Sequence, residues 1–209
     1  MHVTIAMLTY RRNEYLAQVI PHLLEQVAEF SGPNKSAGIL IIDNDPQGGA
    51  RAVVESAQEV EAAQMAERAK SAGAAELPEV SRLAYVHEPE PGIVAGRNRA
   101  LERAHGTNAL VFIDDDEIPA PGWLTALVST WRSQGSAAVT GPTPPAFEAD
   151  PSPWVSASGA FDSWEAADGA QVPSADTGNL LLDLRLIERL GLRFDPRYGL
   201  TGGEDSLFT

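Results

Sequence analysis

Short apolar runs alternate with helical patterns along this chain, and that alternation restricts the possible folds more than any other feature of the sequence. The apolar runs predict five strands, at 3–8, 39–42, 83–87, 109–113 and 179–182. Amphipathic or helix-favouring stretches predict helices at 16–27, 50–71, 94–104, 123–131 and 184–190. Because strands that alternate with helices join through right-handed crossovers, the predicted fold is α/β, with a mostly parallel sheet flanked by helices.

The charge balance and the absence of cysteine exclude several classes of function. The chain has 209 residues, a formal net charge of −14 and no Cys. A broad nucleic-acid surface or a polybasic membrane patch needs clustered Lys and Arg, so neither is expected. Disulfides, thiolate zinc sites and a cysteine nucleophile are excluded. The acidity does suit a metal ion that in turn carries an anionic substrate.

Four consecutive carboxylates, Asp114, Asp115, Asp116 and Glu117, directly follow the apolar run at 109–113. An acidic surface turn would explain an isolated run of this kind. Here the run stands at the carboxyl end of a predicted parallel strand, where open α/β sheets bind their ligands. Carboxylates this close repel one another, and hard oxygen ligands suit Mg²⁺ or Mn²⁺, so a metal site is predicted.

The other predicted strands also end in polar residues, which the same edge of the sheet should collect. These groups are Thr9 to Arg12, Asp43 to Asp45, and Glu88 to Gly92. After the third strand, Gly92, Gly96 and Arg97 open a helix, and such a helix start favours a phosphate. The glycine spacing fits neither a P-loop nor a dinucleotide fingerprint.

The carboxylates Glu204 and Asp205 follow Gly202 and Gly203 near the end of the chain. Acidic residues are favoured in the first turn of a helix by its dipole, which is one explanation. The alternative is a general base that a flexible glycine approach brings to the mouth of the sheet.

The order and spacing of these motifs resemble the inverting, nucleotide-sugar-dependent glycosyltransferases of family 2, which have the GT-A fold. The resemblance runs through nearly the whole chain, in the segments VTIAMLTYRRNEYL, IIDND, PGIVAGRNRAL, VFIDDDEIPAPGWL, TGNLLL and FDPRYGLTGGEDSLF. It implies a GT-A, Rossmann-like sheet with a loop-rich segment on the acceptor side. It also implies an enzyme that moves a sugar from a nucleoside diphosphate to an acceptor hydroxyl, with Mn²⁺ or Mg²⁺ as cofactor.

The resemblance assigns donor-binding roles to residues at the strand ends. Thr9, Tyr10 and Arg11 would line the nucleotide pocket, and Asp43 would accept hydrogen bonds from the base. Arg97 would approach the nucleotide or its diphosphate.

The resemblance also assigns the metal and catalytic roles. The D-x-D motif maps onto Asp114 and Asp116; Asp116 is the first choice for metal ligand, with Asp114 beside it. Either Asp114 or Asp115 would hold the ribose. Asp205 matches the catalytic base, and its neighbour Glu204 is the weaker candidate. The wall of the donor-sugar or acceptor site is expected to include Asn179.

The expected organisation is a single domain over residues 1–209. Residues 1–117 would form the nucleotide-binding half and 118–209 the acceptor-side half, with a natural chain that continues beyond Thr209. Trp154, Phe161 and Trp164 could stack on sugar rings, but we expect them to pack beneath the Pro-rich loop at 141–153.

The expected partners are a nucleotide-sugar donor and a glycan, lipid-linked or small-molecule acceptor, with no nucleic acid. The chain shows no signal peptide, which indicates a cytoplasmic protein, and peripheral attachment at the inner face of the membrane stays open. A non-catalytic nucleotide-sugar-binding module is the alternative function, and a sugar nucleotidyltransferase or a glycosidase fits less well.

Overall fold

The structure is a computed structural model that describes residues 1–72, 81–147, 149–159, 161, 166–199 and 203–209. The predicted contacts of Trp164 lie outside these residues. Six strands are described: β1 His2–Thr9, β2 Ser36–Asp43, β3 Leu83–His87, β4 Ala109–Asp114, β5 Ala138–Thr140 and β6 Asn179–Asp183. The α-helices are α1 Asn13–Phe30, α2 Arg51–Ala72, α3 Ile93–Arg103, α4 Trp123–Gln134, α5 Pro153–Ser158, α6 Leu184–Leu190 and α7 Glu204–Phe208.

The strands form one sheet in the order β3-β2-β1-β4-β6-β5. The first four strands in this order are parallel, whereas β6 runs antiparallel to both β4 and β5. The chain leaves β1 in one direction to build β2 and β3, and later returns to β1's other side with β4. The carboxyl ends of β1 and β4 therefore meet at a topological switch point, where open α/β sheets bind ligands.

Alternate residues of each central strand face two separate apolar layers. On one face, Ile5, Ile41 and Val111 pack with α1 and α4. On the other, Ala6 and Phe112 pack with α3 and α6. This two-fold alternation, with both faces covered by helices, confirms the predicted α/β class.

Sequence pattern accounts for the bounds of most elements. In α1 the buried residues recur every three or four positions, and the helix runs through Pro21 without a break, although proline lacks the N–H donor of an interior helix position. The side chain of Asp183 accepts hydrogen bonds from two backbone N–H groups and begins α6, and Gly191, with φ of 64°, ends it as predicted. Strand β5 and the short helix α5 were not predicted, whereas α7 begins at Glu204, in agreement with the helix start that the sequence offered as one explanation of Glu204 and Asp205.

None of the helices in the described part of the chain combines the length and the hydrophobicity that a bilayer crossing requires.

Candidate functional site

The polar residues that follow β1 and β4 are joined directly at the switch point. Leu8 pairs with Asp114 in the parallel register, so the two strands end at the same level. The hydroxyl of Thr9 donates a hydrogen bond of 2.8 Å to Oδ2 of Asp115, and both side chains are buried. Strand pairing thus brings together two predicted site residues that lie far apart in sequence.

Arg11 and Arg12 turn to opposite sides of β1. Arg11 has a left-handed backbone with φ of 57°, and its Nε lies 3.3 Å from Oδ1 of Asp45, beyond β2. Arg12 donates from Nη1 to Oδ1 of Asp115 at 3.0 Å and to Oδ2 of Asp116 at 2.8 Å, beyond β4. A non-glycine residue in the left-handed region is uncommon and often marks a functional turn.

Asp43 is fully buried at the end of β2, and both of its oxygens accept hydrogen bonds from the protein. Oδ1 accepts from the N–H of Asp45, and Oδ2 accepts from the N–H of Ala50 and from the hydroxyl of Tyr85, each of the latter at 2.8 Å. Burial, followed by the bond to Asp43, raises the pKa of Tyr85 to about 12. Because Asp43 has no exposed surface, a contact with a nucleotide base would require the residues that cover it to move.

The carboxylates after β4 are crowded and carry excess negative charge. Burial, together with Asp116 and Asp115, raises the pKa of Asp114, although its side chain still reaches solvent. Burial and the charge of Asp114 raise the pKa of Glu117 to about 7. A Cβ on Gly178 would lie only 2.6 Å from Oε1 of Glu117, so the backbone of the segment before β6 closes this cluster.

The side chain of Arg97 is buried in the described structure and is not exposed at the strand ends. Its side chain is 6% exposed, and Nη1 contacts Oε1 of Glu204, whose side chain is 3% exposed. Burial lowers the pKa of Arg97, while the nearby charges of Asp114 and Asp205 oppose that shift. The guanidinium therefore lies between the carboxylate cluster and α7, with Glu204 as its direct partner.

Asp205 is half-buried in the first turn of α7, whereas its neighbour Glu204 points into the protein. A carboxylate that is buried and paired, as Glu204 is, cannot readily accept a proton from a substrate hydroxyl. Helix α7 is held at its other end by Phe208, whose ring stacks on Phe194 at 4.2 Å. Gly202, which the sequence placed just before this helix, lies outside the described residues.

Asn179 is buried and its amide is used within the protein. Its Oδ1 accepts a hydrogen bond of 2.9 Å from Nε1 of Trp123, and its Nδ2 donates to the carbonyl of Pro142 at 3.4 Å. These bonds fix α4 and the Pro-rich segment against β6, which is compatible with a wall of the site.

The expectation that the aromatic side chains of the Pro-rich region pack beneath its loop is wrong for Trp154. The side chain of Trp154 is 87% exposed on α5, a helix that has no buried residue. Phe161 packs edge-to-face on Phe147 with ring centroids 5.5 Å apart, and both remain partly exposed.

A recess of about 380 Å³ lies beside the ends of β1 and β2, lined in part by Arg11, Arg12, Tyr15 and Asp45. A second recess, of about 390 Å³, lies near Met1, at the opposite edge of the sheet, and contains none of the strand-end residues. Of these two recesses, only the first is lined by polar residues that follow strands β1 and β2.

Sequence reasoning assigned no role to Arg12, Asp45 or Tyr85, although all three lie in or beside the site. Arg12 and Asp45 stood in the polar groups after the first two strands, so a signal existed for both. Which of two adjacent arginines faces the acidic cluster depends on the backbone turn at Arg11, and that turn cannot be read from residue type.

The family model described as glycosyl transferase family 2 matches residues 4–161 of this chain. Among curated proteins, the succinoglycan biosynthesis protein ExoM of Rhizobium meliloti (strain 1021) is 30% identical over 209 residues. That alignment covers all of this chain and 60% of ExoM, so the chain spans less than two thirds of this relative.

Two solved structures share the fold. The mannosyltransferase PcManGT of Pyrobaculum calidifontis, in complex with GDP-Man and Mn²⁺, superposes with a TM-score of 0.58 at 20% identity, over 98% of this chain and 49% of that one. Residues 1–349 of TarS from S. aureus give a TM-score of 0.60 at 16% identity, over 100% of this chain and 54% of that one. At these identities the likeness establishes the GT-A fold.

Proposed function

Because the chain belongs to glycosyl transferase family 2, we propose that it transfers a sugar from a nucleoside diphosphate sugar to an acceptor hydroxyl, with inversion at the anomeric carbon. The observation that carries this proposal is the joining of Thr9 and Arg12 to the carboxylates of β4 at the switch point. The likeness to a relative named for succinoglycan biosynthesis supports an acceptor in polysaccharide assembly.

The donor's nucleoside is proposed to occupy the recess beside β1 and β2. Arg11 lines this space, and the half-exposed ring of Tyr10 lies against its guanidinium, 5.1 Å from ring centroid to Cζ. Asp115 already accepts hydrogen bonds at both oxygens, whereas the carboxylate of Asp114 reaches solvent. We therefore assign the ribose contact to Asp114 rather than Asp115.

The residues after β4 fit a divalent cation. Asp116 is 47% exposed at its side chain, it supplies hard oxygen donors, and a positive group, the Arg12 guanidinium, already contacts it. Among the described residues no group of three or more His, Cys, Asp or Glu side chains is arranged to hold a metal. One or two carboxylates that share the ion with substrate phosphates is the usual arrangement for Mg²⁺, and Asp116 with Asp114 fits it.

The proposed reaction requires a base on one side of the anomeric carbon and a leaving group on the other. Asp205 takes the proton of the acceptor hydroxyl, whose oxygen forms a bond to the anomeric carbon as the bond to the diphosphate oxygen breaks. When bound, Mn²⁺ or Mg²⁺ supplies positive charge to the departing nucleoside diphosphate. Arg97 pairs with Glu204, the residue before Asp205 in α7, and the half-buried position of Asp205 keeps its carboxylate accessible.

Calorimetry with UDP and GDP, with and without Mn²⁺, followed by a donor-hydrolysis assay, tests this function. We expect one nucleoside diphosphate to bind more tightly with Mn²⁺, and Asp205→Asn to lose at least about a hundredfold in turnover while donor affinity is kept. Asp168→Asn, which changes an exposed carboxylate near the end of α4, is the matched control.

Two results would count against the proposal in different ways. If neither UDP nor GDP binds, the proposed donor site is contradicted. Tight binding without any turnover in the unmodified chain would favour the non-catalytic nucleotide-sugar-binding module.

A further inference from the structure

Arg12 occupies the position from which a cation can compete with a metal ion for the carboxylates after β4. A single nitrogen, Nη1, contacts one oxygen of Asp115 and one of Asp116. Asp115 is buried and is fixed further by Thr9, whereas the side chain of Asp116 is 47% exposed. The guanidinium therefore has one rigid partner and one exposed partner.

The exposed partner of Arg12 is also the proposed metal ligand. A divalent ion sits about 2.0 to 2.2 Å from a carboxylate oxygen, so at Asp116 it would lie close to the Arg12 guanidinium. Two cations that share one carboxylate repel each other, and the guanidinium, half-exposed at its side chain, is free to turn away from Asp116 while it stays on Asp115.

We propose that Arg12 is a built-in counter-ion that exchanges with the divalent cation at Asp116 and, once displaced, binds the diphosphate of the donor. Before the metal arrives, Arg12 relieves the repulsion within the acidic run. After it arrives, the remaining N–H groups of the guanidinium fork are available for two parallel hydrogen bonds to phosphate oxygens. This inference rests on the proposed function, because it requires a donor diphosphate and a metal at this edge.

The exchange predicts an energetic coupling between metal and nucleotide. Metal alone has to displace Arg12 and binds weakly. Metal together with a nucleoside diphosphate gives the displaced guanidinium a new anionic partner, so each ligand raises the affinity for the other by the same factor.

The test measures Mn²⁺ binding to the folded 209-residue chain by calorimetry or electron paramagnetic resonance, without nucleotide. Arg12→Gln should bind Mn²⁺ about three- to tenfold more tightly than the unmodified chain, because a competing positive charge is gone. Arg12→Lys, which keeps the charge, should change the affinity much less. The control is Arg11→Gln, which has the same change of net charge at a similarly exposed neighbour bound to Asp45, and it should leave Mn²⁺ affinity unchanged.

A second measurement follows the coupling itself. UDP and GDP are titrated with and without Mn²⁺. Arg12→Gln should reduce the factor by which Mn²⁺ increases the affinity for the nucleotide that binds. Equal Mn²⁺ affinity in Arg12→Gln and the unmodified chain, with loss of Mn²⁺ binding in Asp116→Asn, would overturn the exchange and leave the proposed function standing. Absence of Mn²⁺ binding in every protein, with nucleotide present, would overturn both.

Discussion

The buried pair of Arg97 and Glu204 should govern whether α7, which carries Asp205, stays docked on the domain. Both side chains are almost fully withdrawn from water, at 6% and 3% exposure. Removing one member of such a pair leaves the other charge buried without its counter-ion, which typically costs about 3–5 kcal/mol. Replacing both by apolar residues of similar volume removes both charges and can be close to neutral.

A double-mutant cycle tests this reasoning. Arg97→Met and Glu204→Leu should each lower the free energy of unfolding by about 3–5 kcal/mol, and the double variant should lose less than either single variant. For a domain of this size a loss in that range lowers the melting temperature by roughly 6–20 °C. Urea unfolding provides the free energies. Glu67→Gln is the control, because its ion pair with Lys70 is exposed and should contribute at most about 0.5 kcal/mol.

Because α7 has only five residues, it can undock before the domain unfolds, and the global loss then falls short of the full range. Hydrogen exchange of the amides at 203–209 separates the two cases, since undocking accelerates exchange in this segment alone. Additive single effects in both unfolding and exchange would refute the argument, because they would mean that neither charge depends on the other.

Two further predictions concern the walls of the site. Gly178→Ala should weaken Mn²⁺-dependent nucleotide binding while the domain stays folded, because the new Cβ meets the Glu117 carboxylate; Gly32→Ala, which meets nothing within 4 Å, is the calorimetric control. The raised pKa of Tyr85, about 12 in the folded chain, means that the unfolded state ionises first as pH rises. Stability should therefore fall between about pH 10 and 12, and fall less in Tyr85→Phe, which lacks the hydroxyl bond to Asp43; an identical pH profile of urea unfolding in the two proteins would contradict this.

Five of the six strands that the structure describes were predicted, and they include the edge strand β3, which is only partly buried. All of β1, β2 and β4 lie in the middle of the sheet with helices on both faces, so their continuous apolar runs are unambiguous. Strand β5 has only three residues at the sheet edge, and none of them is fully buried. The antiparallel direction of β6 depends on the path of the long segment before it, which residue type does not encode.

The helix-start prediction for Arg97 shows why the candidate site was only partly predictable. Glycines before a helix indicated an anion site, yet Val94, Arg97 and Leu101 follow one another at helical spacing and are all buried. The same periodicity that predicted α3 therefore places Arg97 on its inward face. Counting Arg97 as part of the buried stripe would have predicted a protein carboxylate as its partner, although not which one.

The adjacent residues Arg11 and Arg12 pair with carboxylates on opposite sides of β1 because of a single backbone angle. An extended strand would send Arg11 and Arg12 to opposite faces of the sheet, but β1 has already ended at Thr9, and the left-handed turn at Arg11 directs them sideways instead. Arg11 then reaches Asp45 beyond β2, and Arg12 reaches Asp116 beyond β4. Because β1 lies between β2 and β4, a turn that follows its carboxyl end can supply a cation to each side. The strand order thus places the Arg12 guanidinium beside the acidic run. The proposed exchange for a metal ion needs a rotation of this side chain and no movement of the sheet.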